Sequence, residues 1–191
     1  MRRALDRLYA FAFAVSAACL AAIAALVLAQ VAGRLLDRAL DLVGLPALGF
    51  AVPSLAEIGA FLFVSAVFLG MAGTLRAGGH VRVTLATQRL GPRAARVLMS
   101  VVVAIALALC VWAAWNSVAM LLDSLRYDAV SYGMVRVPLA LPQGMMALGL
   151  VIFCIALADE GWALLQGRSP SFRAAEAETE AAGDAAGTGG H

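Results

Sequence analysis

The chain has 191 residues, 63% of them hydrophobic and 14% charged, with a formal net charge of +2. About a quarter charged residues is usual for a soluble domain, so this composition excludes an ordinary water-exposed surface. The cations are 14 Arg with no Lys, and they flank apolar runs instead of forming the exposed basic stripe that nucleic-acid binding requires.

The apolar runs predict an all-α integral membrane protein of four transmembrane helices with short interfacial helices. The first span is predicted at about residues 8–33, after Arg2, Arg3 and Arg7. A positive start, an apolar core and Ala29-Gln30-Val31-Ala32 imitate a secretory signal. The run exceeds the roughly 7–15 residues of a signal core, however, and three further spans follow, so the helix is read as retained. Ala14, Ala17, Ala18, Ala21, Ala22 and Ala25 offer a small-residue surface for close helix packing. Farther on, Leu35, Leu36, Ala39, Leu40 and Val43 fall on one helical face and Asp37, Arg38 and Asp41 on the other. That pattern predicts a short helix lying in the interface plane.

Turns at Gly44-Leu45-Pro46 and from Gly49 to Pro53 lead to the second span, about residues 55–76. Ile58 to Leu75 carries no charge and would cover about 27 Å, close to the hydrocarbon thickness of a bilayer. Ser54 and Glu57 have capping-box spacing: the Ser hydroxyl can accept from the Glu57 amide while the Glu reaches back. Glu57 is thus read as a carboxylate stabilising a helix N-terminus, with a second reading in which it also pairs with an Arg or polar group of a partner subunit. Ala66, Gly70 and Gly73 form a small-residue stripe suited to a neighbouring helix. At the exit Arg76 can snorkel, Gly78 and Gly79 can take positive φ, and His80 can donate to the last free carbonyls, which favours a structural cap over a proton carrier. Arg82, Arg89, Arg93 and Arg96 complete a basic loop.

The third span, about residues 95–122, follows Gly91-Pro92, a proline placed for a first helical turn. Trp112 and Trp115, toward its far end, are predicted at the membrane boundary, with Asn116 beside them satisfied by water or a neighbouring helix. A loop through Asp123, Arg126, Asp128, Tyr132, Gly133 and Arg136 reaches Pro138 and Pro142, which bracket the start of the fourth span at about residues 137–158. Asp159, Glu160 and Trp162 close it. Residues 1–166 read as one membrane domain. The Ala-, Glu- and Gly-rich tail, 167–191, cannot bury enough apolar area to offset its chain entropy and is predicted to be a disordered acidic tail.

Cys19, Cys110 and Cys154 fall in three different apolar runs and read as small buried hydrophobes. Neither His80 nor His191 lies within a span, which disfavours a haem-carrying anchor. Ten of the 14 Arg fall on the side of the N-terminus, the Arg76–Arg96 loop and the tail, so the positive-inside rule predicts both termini in the cytoplasm. No charged residue lies deep in a span, which argues against an autonomous pump, and no positioned nucleophile and base suggest an enzyme. The pattern is that of a helical scaffold serving another protein. A stand-alone small transporter or channel, and a membrane anchor of a redox complex, are the alternative readings.

Glu57 opening the second helix, Leu69-Gly70 late in it, the motif Arg76-x-Gly78-x-His80-Val81, and Pro138, Pro142 and Gly144 around the start of the fourth helix resemble one family. It is the small membrane subunit, the Q or DctQ type, of tripartite ATP-independent periplasmic (TRAP) transporters, and the resemblance covers about Leu8 to Trp162. The chain departs from the family pattern at Thr84, where an acidic residue is common, and at Leu139, where a Trp is common. The resemblance implies a heterodimeric permease in the bacterial inner membrane, working with a periplasmic solute-binding protein to import an organic acid or related solute. It implies that the large subunit carries the substrate and sodium sites, while the small subunit braces it and helps dock the binding protein. No catalytic, cofactor-binding or metal-ligating residue is expected here. Glu57, Gly70, Arg76, Gly78, His80, Pro138 and Pro142 are the candidate structural or partner-contact residues.

Overall fold

A computed structural model describes residues 2–76 and 91–166. They form α1 (Arg2–Leu42), α2 (Leu55–Arg76), α3 (Pro92–Arg126) and α4 (Ala140–Leu165), and each helix holds a stretch long and apolar enough to cross a membrane. The protein is an all-α membrane protein. Among the described residues the only extended pairing is an isolated antiparallel bridge between Val130 and Pro138. The tail predicted at 167–191 lies outside the described residues.

The helices pack in the spatial order α1, α2, α4, α3, which leaves α2 and α4 in the middle. Burial follows that order: 33% and 39% of the apolar stretches of α2 and α4 are buried, against 11% and 17% for α1 and α3. Small residues set the approach of each pair. The Ser16 hydroxyl donates to the Ala66 carbonyl at 2.6 Å, and Gly70 and Gly73 make room for Ser16 and Phe13, so the predicted stripe on α2 receives α1. The face that α1 contributes is Tyr9, Ala12 and Ser16. Ala14, Ala17, Ala18, Ala21 and Ala25 of the expected alanine surface are exposed instead. Between α2 and α4, Gly149 lies directly on the Phe68 backbone. On the α3 side Cys110 and Ala114 join Leu150 and Phe153 in the core, and the Cys110 and Cys154 thiols meet at 2.9 Å.

These contacts fix heights along the bundle. Leu121 lies beside Gly144, Cys110 beside Leu150, and Val103 beside Gly161, so α3 runs antiparallel to α4. Gly149 beside Phe68 ties α4 to a parallel α2. Glu57, Asp123 and Arg126 then share one end of the bundle, and Asp6, Arg7, Arg76, Asp159 and Glu160 share the other. Phe68 stands about 16 Å from Glu57 and about 12 Å from Arg76 at 1.5 Å per residue, near the middle of an uncharged belt as thick as a bilayer core. Trp115 is level with Gly149 and therefore with Phe68. Trp112 and Trp115, predicted at the membrane boundary, thus stand near mid-height of that uncharged belt: α3 is 35 residues long, longer than a bilayer requires, and place within an uncharged run is not height in the bundle.

The expected separate helix in the interface plane is also corrected. Residues 35–42 are the last turns of one uninterrupted α1, because the single Gly33 takes helical geometry and no proline falls within those turns to break the ladder. The chain leaves the helix at Gly44, with φ of 75°. It then folds back: Asp37 Oδ1 accepts from the amides of Leu48 (2.7 Å) and Gly49 (3.2 Å), Gln30 Oε1 accepts from the Val52 amide (2.7 Å), and Phe50 covers Gly33. Asp37, expected on a solvated face, is the anchor of the returning strand of chain.

Candidate functional site

The residues predicted to matter do not converge on one point. Glu57, Pro138 and Pro142 gather at one end of the bundle, Gly70 is at mid-helix against Ser16, and Arg76 is the last residue of α2 at the opposite end. Gly78 and His80 lie outside the described residues.

At the Glu57 end the predicted capping box is replaced by a different device. The Glu57 and Ile58 amides both donate to the Ser54 backbone carbonyl (3.0 and 2.9 Å), with Ser54 at φ 53°. Its hydroxyl therefore does not cap; it accepts from the Val135 amide at 3.1 Å and so fastens the α3–α4 loop to the start of α2. The loop is closed on itself by Ser131, whose amide donates to the Val137 carbonyl (2.9 Å) and whose hydroxyl donates to the Val135 carbonyl and accepts from the Val137 amide, each at 3.1 Å. The Val130–Pro138 bridge holds its base. The half-buried Glu57 carboxylate packs on Gly133, where any Cβ would collide with it, and its Oε2 is cut off from water without a hydrogen-bond partner among the described residues.

Gly133→Ala is accordingly expected to push the carboxylate and the loop apart. Losing the Val135–Ser54 bond, worth about 1 kcal/mol, should speed hydrogen exchange at the Val135 amide about fivefold, and Glu57→Ala in the same chain should restore protection. Unchanged exchange in Gly133→Ala would mean the carboxylate does not seat the loop.

Below the clasp, Ile58, Phe61 and Leu62 of α2 face Leu141, Pro142 and Met145 of α4 across an apolar groove of about 540 Å³. Pro142, placed in the first turn of α4 where a missing amide costs nothing, is buried there. The end surface above is apolar and open: Leu42 at the end of α1, Leu45 and Leu48 of the returning link, and Tyr132 and Met134 at the loop tip are all more than half exposed.

Several contributors were invisible in the sequence. Ser54 and Val135 meet across 81 positions, Cys110 and Cys154 across 44, and nothing local announces either pairing. Glu160, expected only to close the fourth span, is 5% exposed within the helix packing. For Gly149 the signal was present: an isolated glycine inside an apolar helix costs about 1 kcal/mol relative to alanine and so asks for a packing reason.

Four membrane-crossing helices closed at one end by fastened loops, with charges confined to the helix ends among the described residues, define a helical membrane component. The chain belongs to the family described as tripartite ATP-independent periplasmic transporters, DctQ component, whose model matches residues 23–167. No curated protein and no solved structure matches it. It is thus a membrane component of a TRAP transporter.

Proposed function

We propose that this chain is the small scaffold subunit of a secondary-active TRAP transporter. It braces a large permease subunit and helps dock a periplasmic solute-binding protein during import of an organic acid or related solute. The observation that carries this reading is the family match over residues 23–167, together with charges that stay at the ends of the four helices. A bundle so built can hold a moving partner without handling cargo. Sodium coupling and solute recognition belong to the large subunit, and this chain needs no cofactor. The chain resides in the bacterial inner membrane with both termini cytoplasmic, the orientation that the arginine distribution favours. The Glu57 end then faces the periplasm, where the exposed Leu42, Leu45, Tyr132 and Met134 would meet the binding protein.

The test is co-expression with a large permease subunit of the same transporter. The two should co-purify in detergent, and solute uptake into liposomes should require both subunits and the binding protein. Polar substitutions at Leu42, Leu45 and Tyr132 should spare the permease complex and reduce uptake. Flux through the isolated chain, or failure of the two subunits to co-purify, would overturn the scaffold reading.

A further inference from the structure

Inside the belt between the charged helix ends, nearly every exposed side chain suits lipid. On α1 these are Leu8, Phe11, Phe13, Leu20, Val27 and Leu28 with intervening alanines, and on α2 and α4 they include Phe63, Val67, Leu148 and Val151. The face of α3 turned away from α4 is different. Trp112 and Trp115 are 68% and 77% exposed there, and Asn116, one position on, is exposed as well. The helix register puts Trp115 and Asn116 level with Gly149 and Phe68, and Trp112 about 4.5 Å toward the Arg76 end.

That depth is wrong for these residues if lipid covers them. Tryptophan concentrates at the membrane–water boundary, where its ring N–H finds water or headgroup oxygen, and hydrocarbon offers neither. Asn116 donates one amide hydrogen to the Trp112 carbonyl at 2.7 Å; its other amide hydrogen and its carbonyl oxygen have no partner among the described residues, nor has either indole N–H. Four hydrogen-bonding groups at mid-bilayer on one exposed face call for a partner that brings its own, and in that place only another protein can. Trp162, Tyr127 and Tyr132, by contrast, stand at the belt's two edges, where aromatic rings are at home.

We propose that this face of α3 is the seat of the large permease subunit, engaged through a transmembrane helix. That helix presents hydrogen-bonding groups to Asn116 and the indoles, and small residues that admit the rings. The proposal rests on the scaffold-subunit reading and adds the surface through which it operates. Large aromatic anchors ringed by aliphatic side chains, here Ile105, Leu109 and Val111, are the usual energetic centre of a protein interface. The opposite flank of the bundle, α1, carries no such groups at the same height and is left to lipid.

The test uses the full chain co-expressed with the large subunit. A benzophenone amino acid replacing Trp115 should crosslink to the large subunit at least about tenfold more than one replacing Leu20, which is exposed at similar height on α1. Combined Trp112→Leu, Trp115→Leu and Asn116→Leu should lower recovery of the large subunit about tenfold while the isolated chain melts unchanged, since leucine is at least as compatible with lipid. Crosslinking to lipid alone or to a second copy of this chain, or undiminished recovery with the triple variant, would overturn the assignment. If the wild-type subunits do not co-purify, it is the scaffold reading that fails, and this proposal with it.

Discussion

Gly149→Val should pry α2 from α4 and destabilise the isolated chain by about 3 kcal/mol, the upper range for overpacking a tight contact. A Cβ at this position would lie 2.5 Å from both the carbonyl carbon and oxygen of Phe68 and 2.8 Å from its Cβ. Backbone atoms cannot rotate aside, so relief requires the two central helices to move apart, and with them the core around Leu69, Leu150 and Phe153. Thermal unfolding in detergent measures the loss. Gly59→Ala is the matched control: nothing lies within 4 Å of the place its new methyl group would occupy, and removing backbone freedom there should stabilise by roughly 0.5 kcal/mol. A Gly149→Val chain that melts with the wild type would show that the α2–α4 contact is looser than the structure has it.

Gly70→Val should have the second largest effect, a loss of about 2 kcal/mol, on the α1–α2 contact. Its Cβ would lie 2.9 Å from Ser16 Oγ, and that hydroxyl is already committed to the Ala66 carbonyl at 2.6 Å. It cannot step away without breaking the bond, so crowding and hydrogen-bond loss arrive together. Ser16→Ala alone removes a hydrogen bond between membrane helices and should cost about 0.6 kcal/mol. In the double variant the missing hydroxyl gives the new side chain room, so the combined loss should fall short of the two single losses added. Strict additivity in a double-mutant cycle would show that Gly70 and Ser16 do not share one contact.

The four crossings were legible because hydropathy over about twenty residues is a strong signal that needs no knowledge of partners. The stripe of Ala66, Gly70 and Gly73 was legible for the same local reason, and it meets a helix as expected. What failed depended on distant residues. Asp37 and Ser54 read as members of local helical patterns, an amphipathic face and a capping box, yet both spend their side-chain oxygens on amides elsewhere, at Leu48 and Val135. A carboxylate or hydroxyl accepts equally well from any amide brought within reach, and sequence spacing reveals only the near ones. Trp115 shows the same limit in depth. Its place toward the far end of the third span suggested a boundary, while its height relative to Phe68 emerges only once three helices are in register.

The 41-residue α1 is about 62 Å long, roughly twice what a bilayer core needs. Its register with α2 sends the final turns about 20 Å past Glu57, and the link pinned by Asp37 and Gln30 buttresses them like a guy-line on a mast. A protein gripping that mast-head is held at a stand-off set by peptide geometry, so swelling or thinning of the surrounding lipid leaves the distance between the mast-head and the Glu57 clasp unchanged.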